Sequence, residues 1–333
     1  MRTLVISDLH IGAGHGRAAL NDSPVVEALA AAIATADRLV LLGDVIELRQ
    51  GPIQDALAAA SRVLPQLVSG LREGREVVMV FGNHDHQLQL QPESLSQIEW
   101  MLSQNGASVR FEYPGLWLRD DVYAQHGHYL DRHTTTPAFE RVAAGAMARF
   151  LKLPFSEMTE ANDYERLLAP VYAWMFAISQ TSKREIDAAD GGGSARALHL
   201  IRESRGGQAL AVQAGLRGVL AAANAAGLGP LSPDLSPVAL RRSSLVAYGK
   251  VLSVLKLRPH YALFGHSHRA GPLAGDDRSE WITTSGVQLL NTGCWVHEST
   301  TFMSEEPREN PYRPGFAVEL DDHGPPRLVN LLD

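Results

Sequence analysis

The chain has 333 residues, 45% of them hydrophobic and 20% charged, a balance that supports a packed core and excludes disorder, collagen or coiled coil as its main description. A single cysteine, Cys294, excludes an internal disulfide and cysteine-rich zinc modules. A formal charge of −7 argues against a chain that coats nucleic acid by net charge alone.

The apolar opening at residues 3–7 is too short for a signal-peptide core but suits a buried strand. Ser23-Pro24 predicts a helix start, with Ser as N-cap and Pro in the first turn, continued by Val25, Val26, Leu29 and Ile33. Residues 38–42 predict a second strand ending at Gly43-Asp44, and a helix follows Pro52. Residues 76–81 predict a third strand ending at Gly82-Asn83-His84-Asp85. Residues 109–125 read as more strands, ending at His126-Gly127-His128. In α/β sheets such polar turns lie at the carboxyl ends of strands, where sites are built.

The pattern changes at residue 134. From there to 258 the signal is helical. Phe139, Val142, Ala143, Ala146, Met147 and Phe150 recur at three and four, which predicts an apolar face. Asn162 and Glu165 resemble a capping box that opens a helix through Tyr164, Leu168, Val171, Met175 and Ile178, with a kink expected at Pro170. Gly191-Gly192-Gly193 predicts a loop, residues 210–226 an alanine-rich helix, and Ser236-Pro237 a helix reaching Leu257. Strands resume at 261–264, with two more at 316–320 and 328–332. No run reaches the ~18 apolar residues of a spanning helix, so a cytoplasmic location is the default expectation. The helical stretch holds 15 basic and 10 acidic residues, a balance of +5, and the remainder of the chain carries −12.

The chain has 13 histidines, and their placement carries the chemistry. The strand-end turns are Asp8-Leu9-His10, Gly43-Asp44, Gly82-Asn83-His84-Asp85, His126-Gly127-His128 and Gly265-His266-Ser267-His268. Each alone is an ordinary turn. Five in this order, each after an apolar run, supply the carboxylate, imidazole and amide oxygen donors that hold divalent transition metals.

In these five motifs the sequence resembles the calcineurin-like metallophosphoesterases, over residues 1–132 and 261–296. Gly43-Asp44-Val45-Ile46-Glu47 and Ser7-Asp8-Leu9-His10-Ile11-Gly12 further resemble the branch that includes UDP-2,3-diacylglucosamine pyrophosphatase. The resemblance implies an α/β (α+β) fold: a four-layer α-β-β-α sandwich of two mixed sheets at residues 1–133 and 259–333, carrying an all-helical insert at 134–258 as a cap. It implies two divalent ions, Mn, Fe, Zn or Co with Mn favoured. Asp8, His10, Asp44 and His268 would hold the first; Asp44 would bridge to the second, completed by Asn83, His126 and His266. The implied reaction is hydrolysis of a phosphoester or phosphoanhydride by a hydroxide that bridges the metals. His84 would assist the leaving group, oriented by Asp85 or Glu47.

His128, Arg241 and Arg242 are candidate substrate contacts, and Asp131 a candidate to orient His126. His15 and His86 read as substrate-side or exposed, Cys294 as a buried thiol on a strand, and Phe150, Trp174, Met175 and Phe176 as pocket lining or core. The expected substrate is a small phosphorylated molecule, with a peripheral or acylated one also open. A nuclease, or a metal-binding scaffold without turnover, is the alternative. The insert's aromatics sit at core spacing rather than interleaved with basic residues, which ranks nucleic acid lower, and the presence of His84 ranks the scaffold lower.

Overall fold

The computed structural model describes residues 1–14, 17–153, 158–181, 207–298 and 307–333. Among them are ten strands and seven α-helices. The chain divides into two compact units: Met1–His128, Trp174–Ala189 and Pro259–Asp333 make the first, and Tyr129–Ala173 with Asp190–Arg258 the second. Residues from Trp174 thus fall in the first unit, inside the stretch read from sequence as insert.

The first unit contains both sheets. Strands β1 (Thr3–Ile6), β2 (Arg38–Leu42), β3 (Glu76–Val80) and β4 (Ser108–Glu112) run parallel, and β9 (Phe316–Leu320) and β10 (Arg327–Asn330) extend them antiparallel, in the order β10-β9-β1-β2-β3-β4. The second sheet has the order β5-β6-β7-β8, from β5 (Gly115–Arg119), β6 (Val122–Gln125), β7 (Tyr261–Phe264) and β8 (Gln288–Asn291). Here β6, β7 and β8 are parallel and β5 is antiparallel. Both sheets are mixed, as expected.

Strand alternation explains the layering. Val5, Val40, Leu42, Val78 and Val80 of the six-stranded sheet pack with Leu116, Leu118, Val122, Ala124, Leu263 and Leu290 of the four-stranded one. The alternate residues, Leu4, Ile6, Leu39, Leu41, Val77 and Met79, face three helices. These are α1 (Ser23–Ile33), α2 (Ile53–Val68) and α3 (Pro92–Leu102). Leu29 and Ile33, Ala60 and Leu64, and Ile98 and Leu102 supply their buried faces. Apolar residues at every strand position are what a sheet covered on both sides requires.

Two local readings change here. The N-cap of α1 is Asp22, with Ser23 as the first helical residue and Pro24 the second. Helix α3 was not read from sequence, although Pro92 in its first turn and the spacing of Leu95, Ile98 and Leu102 carry its signal. The short strand β8 also went unread.

The second unit draws on α4 (Phe139–Phe150), the first part of α5 (Ala161–Thr181), α6 (Gly207–Ala225) and α7 (Pro237–Val254). Ser236 caps α7 through its side chain, accepting from the Ala239 amide at 3.3 Å. Asn162 lies inside α5. The neighbouring Asp163 instead reaches back to accept from the Thr159 amide at 2.8 Å. Stacked rings of Tyr129 and Tyr164, 4.4 Å apart, and a His133–Tyr164 hydrogen bond of 2.6 Å anchor this helix. The glycine run at 191–193 lies outside the described residues.

Helix α4 reverses its sequence reading. Its buried residues are Arg141, Ala144, Gly145 and Ala148, while Phe139 is 42% and Phe150 80% exposed. The physical cause is close approach. At Gly145 a Cβ would come within 2.6 Å of the Leu228 carbonyl oxygen, so only glycine fits. The buried Arg141 donates Nε to the Thr134 carbonyl at 2.7 Å. Small residues and one bonded arginine, rather than the aromatic stripe, make the packed face. Gly145→Val is therefore expected to destabilise the second unit by about 1–3 kcal/mol through overpacking, and Phe150→Ser to change it by less than about 0.5 kcal/mol. Urea unfolding of the two variants checks the order.

Candidate metal centre

The carboxyl ends of β1, β2 and β3 in one sheet and of β6 and β7 in the other carry the five polar turns. Backbone bonds hold the turns together. Asp8 donates its amide to Gly43 O at 3.0 Å, His10 to Asp44 O at 2.9 Å, and Gly265 to His126 O at 2.8 Å.

The turns are strained in a common way. Seven non-glycine residues among those described have positive φ, and five of them are Asp8 (56°), His10 (45°), Asp44 (52°), His266 (63°) and His268 (58°). A left-handed backbone at a residue with a Cβ is unfavourable and persists where the surroundings over-determine it. Here it turns each side chain back over the strand end. The glycines beside them make room: a Cβ on Gly43 would overlap the His126 ring, and one on Gly82 would overlap Asp44 Oδ1.

The donor atoms fall into two adjoining groups. In the first, His10 Nε2 and His268 Nε2 lie 3.1 Å apart, with Asp8 Oδ1 at 3.9 Å and 3.2 Å from them. Asp8 Oδ1 is buried with no hydrogen-bond partner, while Oδ2 accepts from the His266 amide at 3.1 Å. In the second, Asn83 Oδ1 lies 3.3 Å from His126 Nε2 and 2.9 Å from His266 Nδ1. Asp44 Oδ2 stands between the groups, 3.8 Å from His10 Nε2 and 3.1 Å from His126 Nε2. Its other oxygen, Oδ1, accepts the His84 amide at 2.8 Å. One carboxylate oxygen of Asp44 therefore faces both groups.

All seven residues expected as ligands are thus drawn together. Ring nitrogens converging on a carboxylate oxygen fit a cation in each group, and in the first that oxygen, Asp8 Oδ1, has no hydrogen-bond partner. Sets of three with donor atoms mutually within 4.8 Å are Asp8-His10-His268, Asp44-His126-His266 and, additionally, His10-Asp44-His84.

A family model for calcineurin-like phosphoesterases matches residues 1–173. The chain belongs to this family. It is accordingly a metal-dependent phosphoric ester hydrolase, and the family implies a centre of two divalent ions. The match stops before His266 and His268, whose place beside the other clustered donors comes from the fold. Among solved structures, the chain is similar to a dimetal phosphatase from Danio rerio, at 12% identity over 99% of both chains with a TM-score of 0.36. No match is found among curated proteins.

The groups behind the metallophosphoesterase ligands differ in part from expectation. Glu47, not Asp85, touches His84: His84 Nδ1 lies 2.9 and 2.8 Å from the two Glu47 oxygens. Glu47 Oε2 also lies 2.9 Å from His10 Nδ1. Burial favours its neutral form, but His84 and His10 outweigh that and hold the carboxyl well below the usual range. Asp85 is fully buried and accepts from the amides of Gly82 at 2.6 Å and Val45 at 2.7 Å, so it shapes the turn. Burial, then the Asp44 charge, pushes its pKa up to about 7. The His126 Nδ1 partner is the Leu42 carbonyl at 2.9 Å, in place of Asp131.

His128 is buried, stacks on Tyr113 and lies 3.2 Å from its hydroxyl through Nε2. Burial and the neighbouring histidines hold its pKa well down, so it is neutral. His86 is buried against Tyr113 as well, and His15 lies outside the described residues. Arg241 is half-buried and Arg242 exposed on α7 in the second unit. Phe176 packs on the core beneath the six-stranded sheet, Trp174 is 56% exposed, and Met175 contacts Arg49. Cys294 is buried past the end of β8, in an isolated bridge to Pro314. Glu298 was not anticipated. Its carboxylate meets His268 Nδ1 and accepts from Arg17 Nη2 at 3.2 Å. No local pattern joins residues 30 positions apart, so sequence carried no signal for the His268–Glu298 contact.

Gly82→Ala is expected to displace Asp44 and lower the bound metal to one ion or none per chain. Gly51→Ala, where a Cβ meets nothing within 4 Å, is expected to leave it unchanged. Metal analysis of the purified variants checks both.

Proposed function

We propose that the chain hydrolyses a phosphoester or phosphoanhydride bond of a small phosphorylated molecule at a dinuclear centre. Asp8, His10, Asp44 and His268 would hold one ion, and Asp44, Asn83, His126 and His266 the other. When bound, Mn, Fe, Zn or Co ions, all suited by the sulfur-free donor set, would supply an activated water and neutralise phosphoryl charge, and Mn is the ion we favour. The chain's own residues do the rest. Asp44 and the strand-end turns fix the donors in place. His84 serves the leaving group.

The observation that carries this reading is the position of the His84 ring. It lies beside the ligands, with Nε2 3.9 Å from Asp44 Oδ2, and its side chain is 22% exposed, against 5% for His10 and 0% for His126. That ring is open to a substrate where those of His10 and His126 are closed off. Glu47 accepts from Nδ1–H, so a proton for the departing oxygen comes from Nε2 of the imidazolium. Burial opposes that cation and outweighs the Glu47 and Asp44 charges that stabilise it, so the His84 pKa is lowered and the imidazolium is the minor form that donates. The competing assignment, His84 as a ligand, makes a different prediction. His84→Ala is expected to retain two metal ions and to lose about 10²–10⁴-fold in kcat on an alkyl phosphoester with a poor leaving group. Loss of an ion in that variant would make His84 a ligand instead. A turnover screen of Mn-loaded protein over phosphomonoesters, cyclic nucleotides, nucleotide diphosphate conjugates and DNA identifies the bond cleaved.

The insert at 134–258 would draw in the anionic substrate through its charge. The chain enters the insert just after ligand His126 and leaves it just before ligands His266 and His268, and the insert carries the +5 balance. Replacing Arg241 and Arg242 by Gln is expected to raise KM with little change in kcat. The effect should shrink at 1 M salt, where the screening length falls to ~3 Å.

A further inference from the structure

Glu47 orients His84, and a loop holds Glu47. Its Oε1 accepts the Arg49 amide at 2.8 Å, and its Oε2 accepts from the Gln50 side chain at 3.2 Å. Residues 47–50 are thereby wrapped around the carboxylate. The Glu47 amide donates to Ile11 O at 2.9 Å, which fixes where the loop begins.

The far side of the loop is fixed from α5. Helix α2 opens at Ile53 behind Pro52, an N-cap that makes no side-chain bond. Amides in the first turn of a helix have no partner within it. Gln180 supplies one from 127 positions away, as its Oε1 accepts the Ile53 amide at 2.8 Å. Beside it, Ser179 is buried, with Oγ 2.7 Å from the Leu48 carbonyl oxygen and equally near that of Phe176 in its own helix. Met175 contacts the Arg49 guanidinium, and Phe176 packs on the core beneath the six-stranded sheet. Residues 175, 176, 179 and 180 share one face of a helix. All of these residues belong to the first unit.

We propose that Gln180 and Ser179 are positioning residues for the reaction. By pinning Ile53 and Leu48 they hold the Glu47 carboxylate against His84 Nδ1, and so aim Nε2 at the leaving oxygen. The proposal rests on the reading of His84 as proton donor. Glu47 also meets His10, but His10 would be fixed by the ion it holds as well. Loosening the loop therefore falls chiefly on His84. A displacement of about 1 Å in a catalytic group can cost about 10²-fold in rate, so a loss of about 10–100-fold is expected.

The test compares leaving groups, because proton donation matters for a poor one and little for a good one. Full-length protein at saturating Mn²⁺ is assayed on p-nitrophenyl and ethyl esters, each as phosphomonoester and as thymidine phosphodiester. Gln180→Leu and Ser179→Ala are expected to keep two bound ions, to lose about 10–100-fold in kcat on the ethyl ester and to lose less than about 3-fold on the p-nitrophenyl ester. Gln180→Glu keeps the acceptor for the Ile53 amide and should recover most of the loss. In the metal-free protein, the downfield proton NMR signal of His84 Nδ1–H, identified by its absence in His84→Ala, should shift or broaden in both loop variants. Equal losses on the two leaving groups, no loss, or an unchanged signal in both variants would overturn the proposal while His84→Ala still loses the ethyl ester selectively. Unselective loss in His84→Ala would instead overturn the reading of His84, and this proposal with it.

Discussion

The site is organised around one buried carboxylate oxygen. Asp44 Oδ2 lies within 4 Å of His10, His84 and His126, rings that come from three different turns. A desolvated charge in that position is costly unless cations or donors surround it. The opposite oxygen accepts the His84 amide, which leaves Oδ2 to face the converging rings. Two parallel strand sets that end at the same edge, packed through Val5, Val40, Leu42 and their partners in the other sheet, are what bring those turns within reach.

The architecture spends local conformational energy to hold this arrangement. Five of the clustered Asp and His residues adopt a left-handed backbone that their side chains disfavour, and glycines at 43 and 82 yield space to the His126 ring and the Asp44 carboxylate. What stabilises the strain is the lattice of amide bonds between turns and the carboxylates behind the rings. Glu47 serves two of those rings at once, which couples the orientation of His10 to that of His84. Asp85, which the sequence placed beside His84, is used to pin the backbone of the turn instead.

The helical unit follows a different rule. Its packing is set by small residues and by hydrogen bonds of buried polar groups, as in the approach of Gly145 to Leu228 and the bond from Arg141 to Thr134. Amphipathic periodicity therefore misjudged which face of α4 is covered. On α5 it holds for Tyr164, Leu168 and Val171, which are buried, and fails at Ile178, which is 44% exposed. Periodicity states that a helix has two faces; in α4 the closest backbone approach decides which one packs.

By itself the sequence determined the order of strands and polar turns, the residue types at each strand end, and so the family resemblance that implied the seven candidate donors would meet. These are legible because apolar runs and turn residues act locally, and because a metal constrains its donors' chemistry wherever the chain places them. Only the tertiary structure decided that Glu47 rather than Asp85 orients His84, that Leu42 rather than Asp131 backs His126, and that Glu298 and Arg17 stand behind His268. Those contacts join residues tens of positions apart, and no local propensity records them. They exist because strands distant in sequence end at one edge, where the direction of each side chain is fixed by a backbone conformation that its own sequence disfavours.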